Sequence, residues 1–265
     1  MVSEHMSLDF HNKPSLVAYV TCGDPNLATT HEIVLATIDA GADVIELGVP
    51  FSDPVADGPV IQRASERALR SGTTLKKVLG MAGEIRRRSQ VGLIIFSYLN
   101  PILRLGVKRF ADLLEDTGID GALVTDLPVE EAGDYLREMK IRRLATVFLV
   151  APTSTDERLR QIVKTSAGFV YAVSRTGVTG AREQLTGDAK QLVNRVRKYT
   201  KLPVAVGFGI STPEQFLAVG EFADAAVVGS AIVETVERNP GDEPAAVAKF
   251  VGRLVGASRK SLAAN

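Results

Sequence analysis

Eight short runs of Val, Ile, Leu and Ala recur along the 265 residues, at 16–20, 44–47, 92–96, 122–124, 147–150, 169–173, 204–206 and 225–228. Each run is continuous rather than alternating, which is the pattern of a strand buried on both faces, as in a parallel sheet. The gaps between them carry apolar residues at helical spacing, for example Val107, Phe110, Ala111 and Leu114, or Leu159, Ile162 and Val163. Ser154-Thr155-Asp156-Glu157 and Ser211-Thr212-Pro213-Glu214 read as capping-box openings, with Pro213 in a first turn where it forfeits no hydrogen bond. Gly41 and Gly118 stand where helices should close. Four stretches, AGADVIELG, TGIDGALVTD, SAGFVYAVS and EFADAAVVGS, repeat one unit: a helix end, a small turn and a buried strand. Eight strand–helix units in about 250 residues match a single-domain α/β barrel of the (β/α)8 TIM type, with a doubly wound open sheet as the alternative. No linker or composition shift divides the chain, so residues 1–265 read as one domain, with a short extension over 1–14 and a frayed tail over 258–265.

In such a barrel the active site lies at the C-terminal ends of the strands. ELGVPFSDPVADGP, residues 46–59, places three acids there. Val44, Glu46 and Gly48 share one face of the second strand. If that face points inward, a carboxylate stands in an apolar barrel mouth, where it is costly without a use or a partner. Pro50, Pro54, Gly58 and Pro59 make the following loop stiff. Asp53 and Asp57, standing before Pro and Gly, suit a fixed functional position and ordinary turn chemistry equally. Gly207 and Gly209 after the seventh strand, with Gly229-Ser230 after the eighth at a helix start, suit a phosphate site of the kind barrels carry there; each glycine-rich piece taken alone reads equally as a tight turn. SRTGVTG after the sixth strand is long enough for a lid, and reads equally as an ordinary connection.

Composition narrows the chemistry. With 31 basic and 31 acidic residues spread along the chain, nothing points to nucleic acid or an anionic membrane. The single cysteine, Cys22, can form no internal disulfide and suits a small buried apolar position. The first residues show no signal-peptide pattern and no segment reaches the roughly 20 apolar residues of a membrane span, which together suggest a cytoplasmic protein. His5, His11 and His31 all fall at or before the first helix, away from the later strand ends, so no histidine metal site or triad is expected. No lysine lies within an expected strand, as a Schiff-base aldolase would want. Carboxylate acid–base chemistry on a phosphorylated small molecule is what remains.

VTCGDP, ELGVPFSDPVADGP, TDLPVEE, SRTGVTG and GFGISTPEQ, in that order, resemble the tryptophan synthase alpha subunit family, and the match runs over about 16–236. The resemblance implies a barrel that acts as a carbon–carbon lyase. It would cleave indole-3-glycerol phosphate to indole and glyceraldehyde 3-phosphate, and pass indole to a beta subunit in an α2β2 assembly. It implies no metal and no cofactor in this chain, with pyridoxal phosphate only in the partner. By position, Glu46 matches the family's general acid/base, Asp57 its second catalytic carboxylate and Tyr171 its active-site tyrosine. Gly180, Gly209, Gly229 and Ser230 match the phosphate site, and Thr179 the lid residue. Tyr19, Tyr98 and Phe208 fall at the indole pocket, while Pro50, Asp53, Asn100 and Pro128 fall at the partner interface. Two departures stand out: the stretch before the first strand is short, leaving the floor of the barrel open to question, and Tyr19 replaces a common Phe. A stand-alone indole-forming lyase, a phosphosugar isomerase and a non-catalytic partner barrel are the alternatives.

Overall fold

The structure, a computed structural model, describes residue 8, residue 10 and residues 12–173, 182–207 and 209–263. Eight strands form a closed barrel: β1 (Ser15–Thr21), β2 (Val44–Gly48), β3 (Gly92–Ser97), β4 (Gly121–Val124), β5 (Ala145–Val150), β6 (Val170–Val173), β7 (Val204–Gly207) and β8 (Ala225–Val228). Each pairs in parallel with its sequence neighbour, and β8 returns to β1 with Val17 opposite Val227. The helices are α1 (Leu27–Asp39), α2 (Pro59–Arg70), α3 (Leu75–Arg86), α4 (Leu99–Leu105), α5 (Val107–Thr117) and α6 (Gly133–Ile141). They continue with α7 (Asp156–Thr165), α8 (Arg182–Val196), α9 (Pro213–Gly220), α10 (Ser230–Arg238) and α11 (Glu243–Ala263). All eight runs read from the sequence are strands. Among the described residues no helix is long and apolar enough to cross a membrane.

Strand parity divides the apolar side chains into two cores. One set faces outward and packs against the helices, including Ile45, Leu47, Leu93, Ile95 and Val206. The other fills the barrel, with Val17, Val44, Ile94, Leu123, Val147, Ala205 and Val227. Leu8 belongs to this inner core and is only 7% exposed, while Phe10 sets its ring edge-on to Phe169 at 5.7 Å. The short leading segment therefore closes the barrel floor with two apolar side chains.

The repeat in the sequence has a physical cause. Asp43, Asp120 and Asp224 each precede an even-numbered strand and accept the backbone N–H at or near the start of the strand before it: Leu16 at 2.7 Å, Leu93 at 2.7 Å and Val204 at 2.9 Å. A carboxylate at this point fixes the stagger of neighbouring strands at the floor of the barrel. The remaining stretch, SAGFVYAVS, has no acid and turns instead through Gly168 at φ +87°.

Two capping expectations shift by one residue. Thr155, not Ser154, caps α7, receiving the Arg158 N–H; with arginine at the third helical position no reciprocal bond can form. The box at α9 is Thr212 with Gln215, with Pro213 in the first turn as expected. The tail expected from 258 is instead helical to Ala263, and buried Ser258 donates to the Lys13 carbonyl at 3.3 Å.

Candidate active site

Glu46 sits in the middle of β2 opposite Tyr19 on β1 and Ile94 on β3, and its side chain points into the barrel. It is fully buried, and neither carboxyl oxygen has a hydrogen-bond partner. Burial raises its carboxyl from an ordinary 4.5 to about 8, so the neutral acid is the resting form at pH 7. A cavity of about 290 Å³ opens above it at the C-terminal ends of the strands.

The loop after β2 brings Asp57 to the same cavity, directly before α2. Its position is held locally and from afar. The Asp57 N–H bonds the Pro54 carbonyl at 3.0 Å, and the Gln62 amide, one turn into α2, donates to the Asp57 carbonyl at 2.7 Å. From the end of β3, the Tyr98 hydroxyl accepts the Ala56 N–H at 2.9 Å and donates to Asp57 Oδ2 at 3.1 Å. Burial raises the Asp57 carboxyl to about 6, with the Tyr98 hydrogen bond opposing the rise. The two acids thus differ at neutral pH: Glu46 is mostly protonated and Asp57 mostly ionised.

Apolar and aromatic groups wall the cavity. Phe96, Leu149, Val173, Ile61 and Thr125 line it, although the sequence reading singled out none of them. Phe96 was legible from parity, since Ile94 and Phe96 share the inward face of β3. Tyr98, expected in this wall, lies outside it and instead holds Asp57. Tyr19 and Tyr171 stand in the mouth, and each needs a glycine neighbour. A Cβ on Gly48 would lie 2.3 Å from the Tyr19 hydroxyl, and one on Gly207 would lie 2.5 Å from that of Tyr171. Tyr19 packs edge-on against Phe96 at 5.1 Å, and its hydroxyl lies 3.5 Å from Thr21 Oγ1. Burial, reinforced for both by the Asp57 and Glu46 carboxylates, pushes the two phenols well above their ordinary range, so each is a neutral hydrogen-bonding group.

The lining also includes a helix N-terminus and glycines. Gly229 is the N-cap of α10 without a side-chain bond, leaving the first-turn N–H groups free of side-chain caps. Gly229 and Ser230 line the cavity, as does Gly209, which turns at φ +71° after β7. The start of α10 adds the positive end of its helix dipole to this part of the cavity. Gly180, Thr179 and Phe208 lie outside the described residues. Among the described residues no group of three or more His, Cys, Asp or Glu side chains could hold a metal ion.

The sequence model of the family described as Tryptophan synthase alpha chain matches residues 6–260. The chain belongs to this family. It is 54% identical to the tryptophan synthase alpha chain of Solibacter usitatus over 228 residues, covering 86% of this chain and 85% of that one. It is 48% identical to that of Geotalea daltonii over 233 residues, covering 88% of each. Among solved structures, a tryptophan synthase a2b2 complex from the hyperthermophile Pyrococcus furiosus contains a chain of the same shape. The TM-score is 0.87 at 40% identity, over 92% of this chain and 99% of that one.

Of the four residues of this alpha-chain fold expected at a partner surface, Pro50, Asp53 and Pro128 lie in loops that follow β2 and β4, and Asn100 opens α4. Pro50 is buried, Asp53 and Asn100 are exposed, and Pro128 is half-buried. Pro50 and Asn100 line a groove of about 460 Å³ with Phe51 and Leu69; Asp53 and Val55 line an adjoining one of about 510 Å³ that shares Phe51 and Leu69. Val55 is 76% exposed, and Leu103 in α4, on the loop side of β3, is 56% exposed. Cys22 is buried, as expected.

Proposed function

We propose that this chain cleaves indole-3-glycerol phosphate to indole and glyceraldehyde 3-phosphate by carboxylate acid–base catalysis, making it a carbon–carbon lyase. The observation that carries the reading is the pairing, in one cavity, of a neutral buried acid, Glu46, with an ionised acid, Asp57. Glu46 gives its proton to indole C3, converting the ring to an indolenine whose C=N accepts an electron pair. Asp57 accepts the ring N–H and stabilises the positive charge developing on that nitrogen. Glu46, now ionised, takes the proton of the hydroxyl next to the scissile bond. A carbonyl forms, the C3–carbon bond breaks, and its electrons restore the indole. Neither a lysine nor a metal is required by this sequence.

The phosphate end of the substrate fits the α10 N-terminus, with Gly209, Gly229 and Ser230 around it; the matched positions Gly180 and Thr179 would complete that end. The apolar walls fit the indole ring, with Tyr19 and Phe96 against it. Tyr171, neutral and in the mouth, serves to orient rather than to accept a proton. The same reading makes the chain a single cytoplasmic domain with no cofactor of its own. It passes indole to a beta subunit docked on the loops around Pro50, Asp53, Asn100 and Pro128, where Val55 and Leu103 are exposed apolar groups suited to burial.

The test is indole release from indole-3-glycerol phosphate by the full chain, with and without a tryptophan synthase beta subunit. Slow release alone that rises strongly with the partner is the expected result. Fast release alone points to a stand-alone lyase, and none in either case overturns the reading.

A further inference from the structure

Helices α2 and α10 are not the helices that close β/α units. Each is followed by another helix, α3 or α11, and each begins at the catalytic face. The N-terminal end of α2 follows Asp57 directly, and that of α10 is the end assigned above to the substrate's phosphate. Nothing in the barrel repeat fixes the distance between them, yet a two-ended substrate needs that distance to be constant.

An arginine of α2 joins both helices to the β1–α1 loop. Arg67 on α2 places Nε 2.7 Å from Asp24 Oδ1, Nη2 2.8 Å from Asp24 Oδ2, and Nη1 2.8 Å from Glu237 Oε1 on α10. All three guanidinium nitrogens are therefore engaged on two other elements, the β1–α1 loop and α10. Arg63, one turn earlier, grips the same Glu237 through two bonds of 2.9 and 2.7 Å. The Asp24 carboxylate is only 3% exposed, so this is not a solvated surface pair. Beneath the ions Ala64 of α2, Val233 of α10 and Tyr19 of β1 pack together, and the end of α2 is tied to the same loop by Ser71 Oγ donating to the Gly23 carbonyl at 3.1 Å. A planar fork with two fixed directions holds orientation as well as distance, which a lysine could not do.

We propose that Arg67, with Asp24 and Glu237, is a positioning group. It fixes the separation of the Asp57 half-site from the anion half-site, acting on the joined substrate and on neither half alone. The inference rests on the cleavage reading above. A misplacement of about 1 Å can cost on the order of a hundredfold in rate, so a partial loosening should cost at least about tenfold.

The first variant is Glu237→Gln, which removes the charge that Arg63 and Arg67 engage on α10 while leaving the Arg67 pair with buried Asp24 intact; Arg67→Lys is the second. For the full chain and each variant, kcat/KM for indole-3-glycerol phosphate is compared with the inhibition constants of indole and of inorganic phosphate. The expected result is a loss of about tenfold or more in kcat/KM, with both inhibition constants within about twofold of the parent. Inhibition constants that weaken in step with kcat/KM would mean damage to a half-site and overturn the brace. So would variants that cleave as well as the parent. A parent chain that cleaves nothing removes the catalytic reading, and the brace with it.

Discussion

Replacing Glu46 by Gln should abolish cleavage and, at the same time, make the protein more stable at neutral pH. Burial moves this carboxyl from 4.5 to about 8. In the unfolded chain it is ionised at pH 7, so folding must return a proton to it. That costs about 1.4 kcal/mol for each pH unit above 4.5, or about 3 kcal/mol at pH 7. The direction is fixed by the raised value: the contribution to stability is complete below about pH 4.5 and is lost progressively as pH rises to about 8. The Glu46→Gln variant would bury a neutral amide of the same shape in a site where neither carboxyl oxygen has a partner now. Urea unfolding of parent and variant from pH 5 to 8 should therefore give a difference that grows in the variant's favour by about 1.4 kcal/mol per pH unit. At about 2 °C per kcal/mol for a chain of this size, the melting temperature at pH 7 should rise by about 6 °C. A stability difference that stays flat with pH would show that Glu46 is ionised in the folded protein, and would refute the resting acid.

Asp57→Asn should fold normally and lose about a hundredfold or more in kcat, because the charge facing the indole nitrogen is gone; steady-state kinetics decide this. Tyr98→Phe should cost less, about tenfold, and should move the acidic limb of the pH–rate profile upward, because the bond it removes lowers the Asp57 carboxyl. Ser230→Asp should raise KM by about tenfold or more without a matching loss in kcat, since it places an anion where the substrate's phosphate must sit; an unchanged KM would move the phosphate elsewhere. Asp120→Ala should destabilise the fold by about 1–3 kcal/mol in urea unfolding, with the Leu93 N–H and Arg86 losing their acceptor.

How much of this was legible in the sequence depended on the range of the interactions. The eight strands were legible because strands buried on both faces must be continuously apolar; their number and the length of the chain favoured the barrel, and the β8–β1 pairing settles it over an open sheet. Glu46 was legible for the same reason, since period-two alternation put it on the face of Val44. The placement of Gly209, Gly229 and Ser230 on the cavity was legible as glycines at a strand end joined to a helix start. Asp57 was only half legible. Local sequence fits turn chemistry as well, and what settles its place is Tyr98, 41 residues away. The same distance hid the role of Tyr98, whose resemblance to a wall residue concealed that Phe96 holds the inward position. Leu8 and Phe10 plug the floor from a segment whose pattern is too short to read. Arg67 and Glu237 are 170 residues apart, and no local signal links them. The caps at α7 and α9 were misplaced because two neighbouring hydroxyl residues offer the same chemistry, and only backbone geometry chooses between them.

The central claim is that one cavity holds a protonated Glu46 and an ionised Asp57 at the same pH. The pH dependence of kcat/KM for indole-3-glycerol phosphate tests it most directly, because it reports the ionisations of the free enzyme. The expected profile is a bell, rising through about pH 6 as Asp57 ionises and falling through about pH 8 as Glu46 loses its proton. A profile flat from pH 5 to 9, or one that rises with a base near pH 8, would contradict the assignment of the two acids.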